Sequence, residues 1–194
     1  MGGPGKIELR EKTTLLDRVG IARALKRMAI EIAEKVGPEP YLVGIRTGGA
    51  HLANRLAEIM REDATGGTRV KPSVGAVDIT LYRDDVFRGM LKPEIGPTEL
   101  EDSIEGRAVV LVDDVLYTGR TVRAAMDVLV DYGRPRAISL AVLIDRGCRE
   151  LPIAPDVVGL SNPVDRNHSV SVLLSEDGAE DRVALLERVS GGKA

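Results

Sequence analysis

The sequence is poor in the side chains on which several classes of protein depend. Among 194 residues there is one cysteine, Cys148, no tryptophan and only 3% aromatic residues. A single cysteine excludes an intrachain disulfide and a zinc site built from cysteines. The scarcity of aromatic rings argues against a stacking platform for single-stranded nucleic acid. The two histidines, His51 and His168, stand in no pattern that pairs a histidine with a catalytic cysteine, so cysteine chemistry is not expected.

Long apolar runs and an excess of one charge are also missing. No run approaches the about 20 apolar residues that a membrane-spanning helix needs, and the opening MGGPGKIELREKTTLL lacks the apolar core of a secretory signal. The 27 basic and 30 acidic side chains give a net charge of −3, which leaves room only for a local basic face toward nucleic acid. We therefore expect a cytoplasmic protein without membrane association.

Strands and helices alternate along the chain. Apolar residues at helical spacing predict a helix over 17–36, with Asp17 as its N-cap and Gly37 and Pro38 as its stop. The same criteria predict helices over 50–62 and 119–133. Short apolar runs predict strands over 41–45, 74–82, 107–114, 137–145 and 157–160, followed by a hairpin that turns near Asp177 and Gly178. This alternation is typical of an α/β domain with a parallel sheet.

Two segments are expected to be mobile. The first 12 residues are rich in glycine and charge, so we expect them to fray. Residues 83–106 are polar, contain two prolines, and form a long connection of the kind that often covers a site.

Two adjacent aspartates follow an apolar strand in the segment VVLVDDVLYTGRT. In open α/β sheets, ligands bind beyond the carboxyl ends of the strands, and Asp113 and Asp114 repel one another unless polar or cationic groups compensate. The turn from Thr118 to Thr121 leads into a helix, whose first N–H groups favour an anion. A sugar phosphate suits both the acidic pair and the turn, because its vicinal hydroxyls donate to the carboxylates while the turn holds its phosphate. The alternative is a solvated strand end followed by an ordinary helix cap.

This segment resembles the phosphoribosyl-diphosphate signature of the type I phosphoribosyltransferases. The likeness extends to LVGIRTGGAHLANRLAE, DITLYRDD, IDRGCRELPI and VVGLSNP, and it covers most of residues 42–163. These segments are similar to the branch of the family that combines uracil phosphoribosyltransferase activity with attenuation of pyrimidine operons. The resemblance implies one α/β domain over 1–194, with a mostly parallel central sheet flanked by helices, a flexible loop over 83–106 and a small hood over 144–163.

The resemblance also implies roles for individual residues. It makes Asp113, Asp114 and Arg46 the catalytic residues, with both aspartates on the ribose hydroxyls. The other residues that it assigns to phosphoribosyl diphosphate or UMP are Thr47, Gly48 and Gly49 at the diphosphate, Arg83 and Asp84 in the flexible loop, Thr118, Gly119, Arg120 and Thr121 at the 5′-phosphate, and Arg146 at the uracil edge. Alternatives stay open for two of them: Arg83 as a solvated loop charge, and Arg146 as the ion-pair partner of Asp145 or Glu150. Mg²⁺ is the implied cofactor, carried by the diphosphate, with Asp113 and Asp114 as candidate ligands.

The resemblance is incomplete at several positions. Tyr117 stands where purine-specific members carry an aspartate, which favours a pyrimidine base and leaves no side chain as general base. Gly48 stands where regulators have an arginine, which removes a cation near the leaving group. Positions that contact RNA in regulatory members correspond here to Lys26, Ile30, Arg149 and Ala154, and Leu160 replaces a lysine.

Three functions follow from this pattern as alternatives. The first is an enzyme that makes UMP and diphosphate from uracil and phosphoribosyl diphosphate, and that also regulates pyrimidine operons in response to UMP by binding leader mRNA. The others are an RNA-binding UMP sensor with little catalysis, and a salvage enzyme without RNA regulation. The candidate RNA contacts are Arg23, Lys26, Arg27 and Arg149, although the first three also fit the solvated face of an amphipathic helix. The resemblance further implies a homo-oligomer.

Overall fold

The computed structural model describes residues 7–62, 70–80 and 98–190. Their elements, in chain order, are β1 (Ile7–Leu16), α1 (Arg18–Val36), β2 (Tyr41–Ile45), α2 (Gly48–Glu62), β3 (Ser73–Val77), β4 (Ala108–Leu116), α3 (Arg120–Tyr132), β5 (Ala137–Asp145), β6 (Val157–Ser161), β7 (His168–Leu173), a 3₁₀ turn (Ser175–Asp177) and β8 (Arg182–Ser190). Within these ranges, no helix is long and apolar enough to cross a membrane.

The centre of the fold is a sheet of five parallel strands in the order β3-β2-β4-β5-β6. Alternate residues of a strand point to opposite faces, and both faces of this sheet are covered. Leu42 packs with α1 and α2 on one face, whereas its neighbour Val43 packs with α3 on the other. Burial on both sides explains why these strands read as continuous apolar runs. The predicted α/β class is confirmed.

The ends of α1 lie where the sequence places them. The Asp17 carboxylate accepts a hydrogen bond of 2.7 Å from the Gly20 N–H, and the Gly37 N–H closes the helix on the Ala33 carbonyl at 3.0 Å. Gly37 adopts a φ of 101°, a conformation that favours glycine. Other predicted bounds shift by a few residues, since α2 begins at Gly48 and β3 covers only Ser73–Val77.

A second, antiparallel sheet with the order β1-β8-β7 packs beside the first. The expectation that the first 12 residues fray is wrong for residues 7–12, because β1 pairs with β8 from Ile7 to Leu16. The predicted hairpin is confirmed as β7 and β8, joined through the 3₁₀ turn. Residues 1–6 lie outside the described ranges.

The turn of this hairpin is fastened to α2. Arg55 donates to Asp181 at 2.7 and 2.9 Å and to the Ser175 hydroxyl at 3.1 Å, and it also pairs with Glu176. These bonds lower the pKa of Asp181 to about 2, chiefly through the hydrogen bond from Arg55. On the same helix, His51 Nε2 lies 3.2 Å from Asp177 Oδ1. The small antiparallel sheet is therefore held to the helix that begins beside the candidate site.

The expected flexible loop falls partly outside the described residues, which resume at Thr98. From there to Gly106 the expectation is wrong. Glu99 forms an antiparallel bridge with Ala76 at the edge of β3, and Ile104 is 1% exposed, within the core that α3 covers. Edge pairing and apolar burial hold this part of the connection in place.

Candidate active site

The acidic pair lies inside β4 rather than at its end. The strand was predicted to end at Asp114, but it continues to Leu116, because β4 stays in register with β5 as far as Asp145. Asp113 lies opposite Val142 in this pairing and is 5% exposed. The two carboxylates are therefore placed by the sheet itself, with little freedom to separate.

Burial and repulsion act against charge on both aspartates. Removal from water, followed by repulsion from Asp114, raises the pKa of Asp113 well above its usual range. Burial also raises the pKa of Asp114. Backbone N–H groups oppose these effects in part, since Asp114 N–H donates to Asp113 at 3.0 Å and Val115 N–H donates to Asp114 at 2.7 Å. Such a pair is ready to accept hydrogen bonds from hydroxyl donors or to face a cation.

The pair opens into a cleft of about 310 Å³, near the lower end of the range for ligand sites. The cleft brings together residues from the ends of β2, β3 and β4 and from the start of α3. The residues that line it are Arg46, Thr47, Asp78, Ile79, Thr80, Asp113, Asp114, Val115 and Thr121. Three carboxylates and one guanidinium in so small a space indicate a polar, charged ligand.

The connection from β2 to α2 lies directly on the acidic pair. A Cβ atom on Gly48 would stand 2.8 Å from Asp114 Oδ2, and one on Gly49 would stand 2.2 Å from the Val112 carbonyl oxygen. Glycine is needed at position 49 because the backbone there approaches β4 so closely. The Arg46 N–H donates to the Val77 carbonyl at 3.0 Å, which ties the connection to the end of β3, and the peptide bond between Arg46 and Thr47 is cis.

The turn predicted to hold a phosphate forms the start of α3. Gly119 is the N-cap residue of α3 with a φ of 91°, and it has no side chain to cap the helix. The Thr118 hydroxyl accepts a hydrogen bond of 3.4 Å from the Arg120 N–H, and the positive end of the helix dipole at this turn favours an anion. The hood braces the turn, because Glu150 and Leu151 donate their N–H groups to the Thr118 carbonyl at 3.0 and 3.1 Å. Thr121 lines the cleft, whereas Thr118, Gly119 and Arg120 are not among the residues that line it.

Arg146 lies inside the hood. Only 6% of it is exposed, its Nη2 donates to the carbonyls of Asp165 and His168 at 3.2 and 2.8 Å, and its guanidinium stacks 3.9 Å from the centre of the Tyr117 ring. The alternative of an ion pair with Asp145 or Glu150 is wrong, since those acids pair instead with Arg149 and Arg120. A contact between Arg146 and the base stays a prediction.

The four candidate RNA contacts differ in their surroundings. Arg23, Lys26 and Arg27 are exposed on α1, and Arg27 also donates to the Gly159 carbonyl. Arg149 instead donates to carbonyls of the hood and of the β4 end, among them Tyr117 at 3.0 Å, and pairs with Asp145 at 2.7 Å. Arg149 therefore holds the hood together, and its contact with RNA stays a prediction.

Some site residues escaped the sequence analysis. Asp78 and Thr80 line the cleft, and Asp78 accepts a hydrogen bond of 2.6 Å from the Thr80 N–H. Both residues belong to the DITLYRDD motif, from which the sequence analysis assigned only Arg83 and Asp84 to the site. Arg83 and Asp84 lie outside the described residues. Glu99, whose Oε2 lies 2.6 Å from Arg46 Nη2, belongs to no motif.

Comparison with known proteins identifies the class. Residues 12–175 match the model of the phosphoribosyl transferase domain. The chain therefore belongs to the phosphoribosyltransferase family.

Within that family, the chain is similar to proteins named Bifunctional protein PyrR. It is 52% identical to the one from Pelotomaculum thermopropionicum, covering 92% of this chain and 97% of that protein. It is 50% identical to the one from Thermus aquaticus, covering 93% and 98%. These names favour two combined functions over either single-function alternative.

Solved structures agree on the fold. A hypoxanthine-guanine phosphoribosyltransferase from Bacillus anthracis superposes with a TM-score of 0.65 at 17% identity, covering 92% of this chain and 99% of that one. A hypoxanthine phosphoribosyltransferase from Staphylococcus aureus gives 0.61 at 21% identity, with 81% of each chain covered. The predicted type I phosphoribosyltransferase fold is confirmed.

Proposed function

We propose that this protein transfers the phosphoribosyl group of phosphoribosyl diphosphate to uracil, giving UMP and diphosphate, and that it regulates pyrimidine operons by UMP-responsive attenuation through leader mRNA. The observation that carries the proposal is the pair of buried Asp113 and half-buried Asp114, which lines a cleft together with the connection from β2 to α2 and the start of α3. The near-complete coverage of relatives named bifunctional supports the pairing of the two functions.

The acidic pair acts on the ribose. As the bond from C1 to the diphosphate oxygen breaks, its electron pair leaves with the diphosphate, and C1 develops oxocarbenium character. A uracil nitrogen bonds to C1 and gives up its proton to water, since no side chain is assigned as a general base. Asp113 and Asp114 accept hydrogen bonds from the 2′- and 3′-hydroxyls and place negative charge near the developing cation, where fixed charges contribute most to catalysis.

The connection from β2 to α2 receives the leaving group. Gly48 and Gly49 allow the backbone to approach closely, and Thr47 adds a hydroxyl at the cleft. Arg46 supplies the positive charge that the family arginine would otherwise bring at position 48. Thr121, which lines the cleft, and the N-terminus of α3 hold the 5′-phosphate.

The donor set fits Mg²⁺ that arrives with the substrate. Carboxylate oxygens suit this ion, which usually takes one or two of them together with substrate phosphates and water. Asp113 and Asp114 are the residues that would hold it. Burial raises the pKa of both carboxyls, and a nearby cation would favour their charged forms. When bound, the ion neutralises charge on the departing diphosphate.

The base side favours a pyrimidine. Tyr117 replaces the acid of purine-specific members, and its ring packs on Arg146 under the hood. Backbone groups of the hood therefore read the uracil edge, with Arg146 as the one side chain assigned to it.

The exposed cations of α1 support the regulatory half of the proposal. Arg23 and Lys26 present their charges on one accessible surface, where they suit phosphate contacts with RNA. The interruption of this surface by Ile30, which is 51% exposed, predicts weaker binding than a fully basic face would give. A protein with these substrates and an mRNA partner belongs in the cytoplasm, and we infer a homo-oligomer as in the family.

Two assays test the proposal. Incubation with uracil, phosphoribosyl diphosphate and Mg²⁺ should yield UMP, and no turnover above background would refute the enzymatic half. Filter binding with the pyrimidine-operon leader should tighten with UMP and weaken steeply with salt. Equal binding of an unrelated RNA would refute the regulatory half.

A further inference from the structure

The guanidinium of the cleft is already engaged by a carboxylate. Arg46 Nη2 lies 2.6 Å from Glu99 Oε2, with side chains that are 29% and 59% exposed. Arg46 lines the cleft and Glu99 does not. The ion pair therefore stands at the rim, where solvent reaches both groups.

Backbone hydrogen bonds hold Glu99 in this place. Its N–H donates to the Ala76 carbonyl at 2.8 Å, and its carbonyl accepts from the Ala76 N–H at 2.9 Å. The neighbouring Thr98 hydroxyl accepts from the Asp78 N–H at 3.3 Å. Glu99 is thus presented to Arg46 from a fixed position at the edge of β3.

The charges around Arg46 are predominantly negative. Asp78, Asp113 and Asp114 line the cleft, and Arg46 is its one basic side chain among the described residues. A diphosphate that enters must bond the guanidinium that Glu99 holds, and it must do so against a nearby like charge. Exposed ion pairs are weak and exchange partners easily, so displacement of Glu99 is feasible.

We propose that Glu99 competes with diphosphate for Arg46, holding the guanidinium at the cleft while the site is empty and releasing it when the diphosphate binds. The inference rests on the proposed function and adds a positioning residue that acts through Arg46. Glu99 lowers the affinity for diphosphate, which limits substrate binding and also assists release of the diphosphate product.

The test removes the charge while keeping the shape of the side chain. We expect Glu99→Gln to tighten the binding of magnesium diphosphate about two- to fivefold, measured by isothermal titration calorimetry without uracil. KM for phosphoribosyl diphosphate should fall to a similar extent, with KM for uracil unchanged. Glu101→Gln, at a neighbouring exposed position, is the matched control and should change neither value.

A double-mutant cycle with Arg46→Gln decides whether the effect passes through Arg46. In that background, Glu99→Gln should no longer change diphosphate binding. An unchanged or weaker affinity in Glu99→Gln overturns the inference, as does equal tightening by Glu101→Gln or an effect that persists without Arg46. Because calorimetry needs no turnover, diphosphate binding as expected without UMP formation would refute only the proposed function. If UMP forms but the double-mutant cycle does not give the expected result, only the role of Glu99 is refuted.

Discussion

Alanine at position 49 should lower the stability of the protein, whereas alanine at the adjacent position 48 should lower its activity. Different atoms face the two glycines. In Gly49→Ala, the new Cβ would meet the Val112 carbonyl oxygen at 2.2 Å, and neither the strand nor the helix can move aside cheaply. Overpacking costs about 1–3 kcal/mol, and a clash with backbone belongs at the upper end. A loss of about 3 kcal/mol corresponds to a fall in Tm of roughly 6–12 °C for a domain of this size.

In Gly48→Ala, the nearest atoms are Oδ2, Cγ and Cβ of Asp114, at 2.8, 3.0 and 3.1 Å, all in one side chain. A small shift of this side chain relieves the contact, and alanine favours a helix over glycine by roughly 1 kcal/mol, so Tm should stay within about 3 °C. The displaced carboxylate no longer meets the ribose, and kcat should fall about 10- to 100-fold.

Thermal unfolding followed by circular dichroism, together with the UMP-forming assay, measures both outcomes. A Gly49→Ala protein that melts within about 2 °C of the wild type would show that α2 does not approach β4 as closely as described. Full activity in Gly48→Ala would refute the placement of Asp114 at the reacting sugar.

Three further predictions concern charge and packing. Burial raises the pKa of Asp113, so its contribution to stability is present at low pH and is lost as the pH rises through the folded-state pKa. Asp113→Asn should therefore abolish UMP formation and yet raise Tm at pH 8, with a smaller gain at pH 5; a gain that is the same at both pH values would contradict the assigned cause. Arg55→Ala should lower the free energy of unfolding by about 2 kcal/mol, whereas the control Arg123→Ala, at an exposed position, should lower it by less than about 0.5 kcal/mol. Equal losses in chemical denaturation would refute the attachment of the hairpin to α2. Tyr117→Phe should keep the stack on Arg146 and the KM for uracil, whereas Tyr117→Leu should raise that KM about two- to tenfold; an equal effect of both changes would assign the role to the hydroxyl.

Local patterns in the sequence determined much of the fold. The alternation of strands and helices, the Asp17 cap and the Gly37 stop were all predicted, because a helix end and a buried strand are encoded by neighbouring residues. The same holds for Asp113, Asp114 and the turn that ends at Thr121, which one short segment of chain brings to the cleft.

Only the tertiary structure decided which distant residues meet. The pairing of β1 with β8 joins two strands that are far apart in sequence, and the bridge to Ala76 brings Glu99 to Arg46. Arg146 lies under Tyr117 because the hood folds back over the end of β4. Such contacts depend on strand register and on packing between elements that are far apart in sequence, so that no pattern of nearby residues records them.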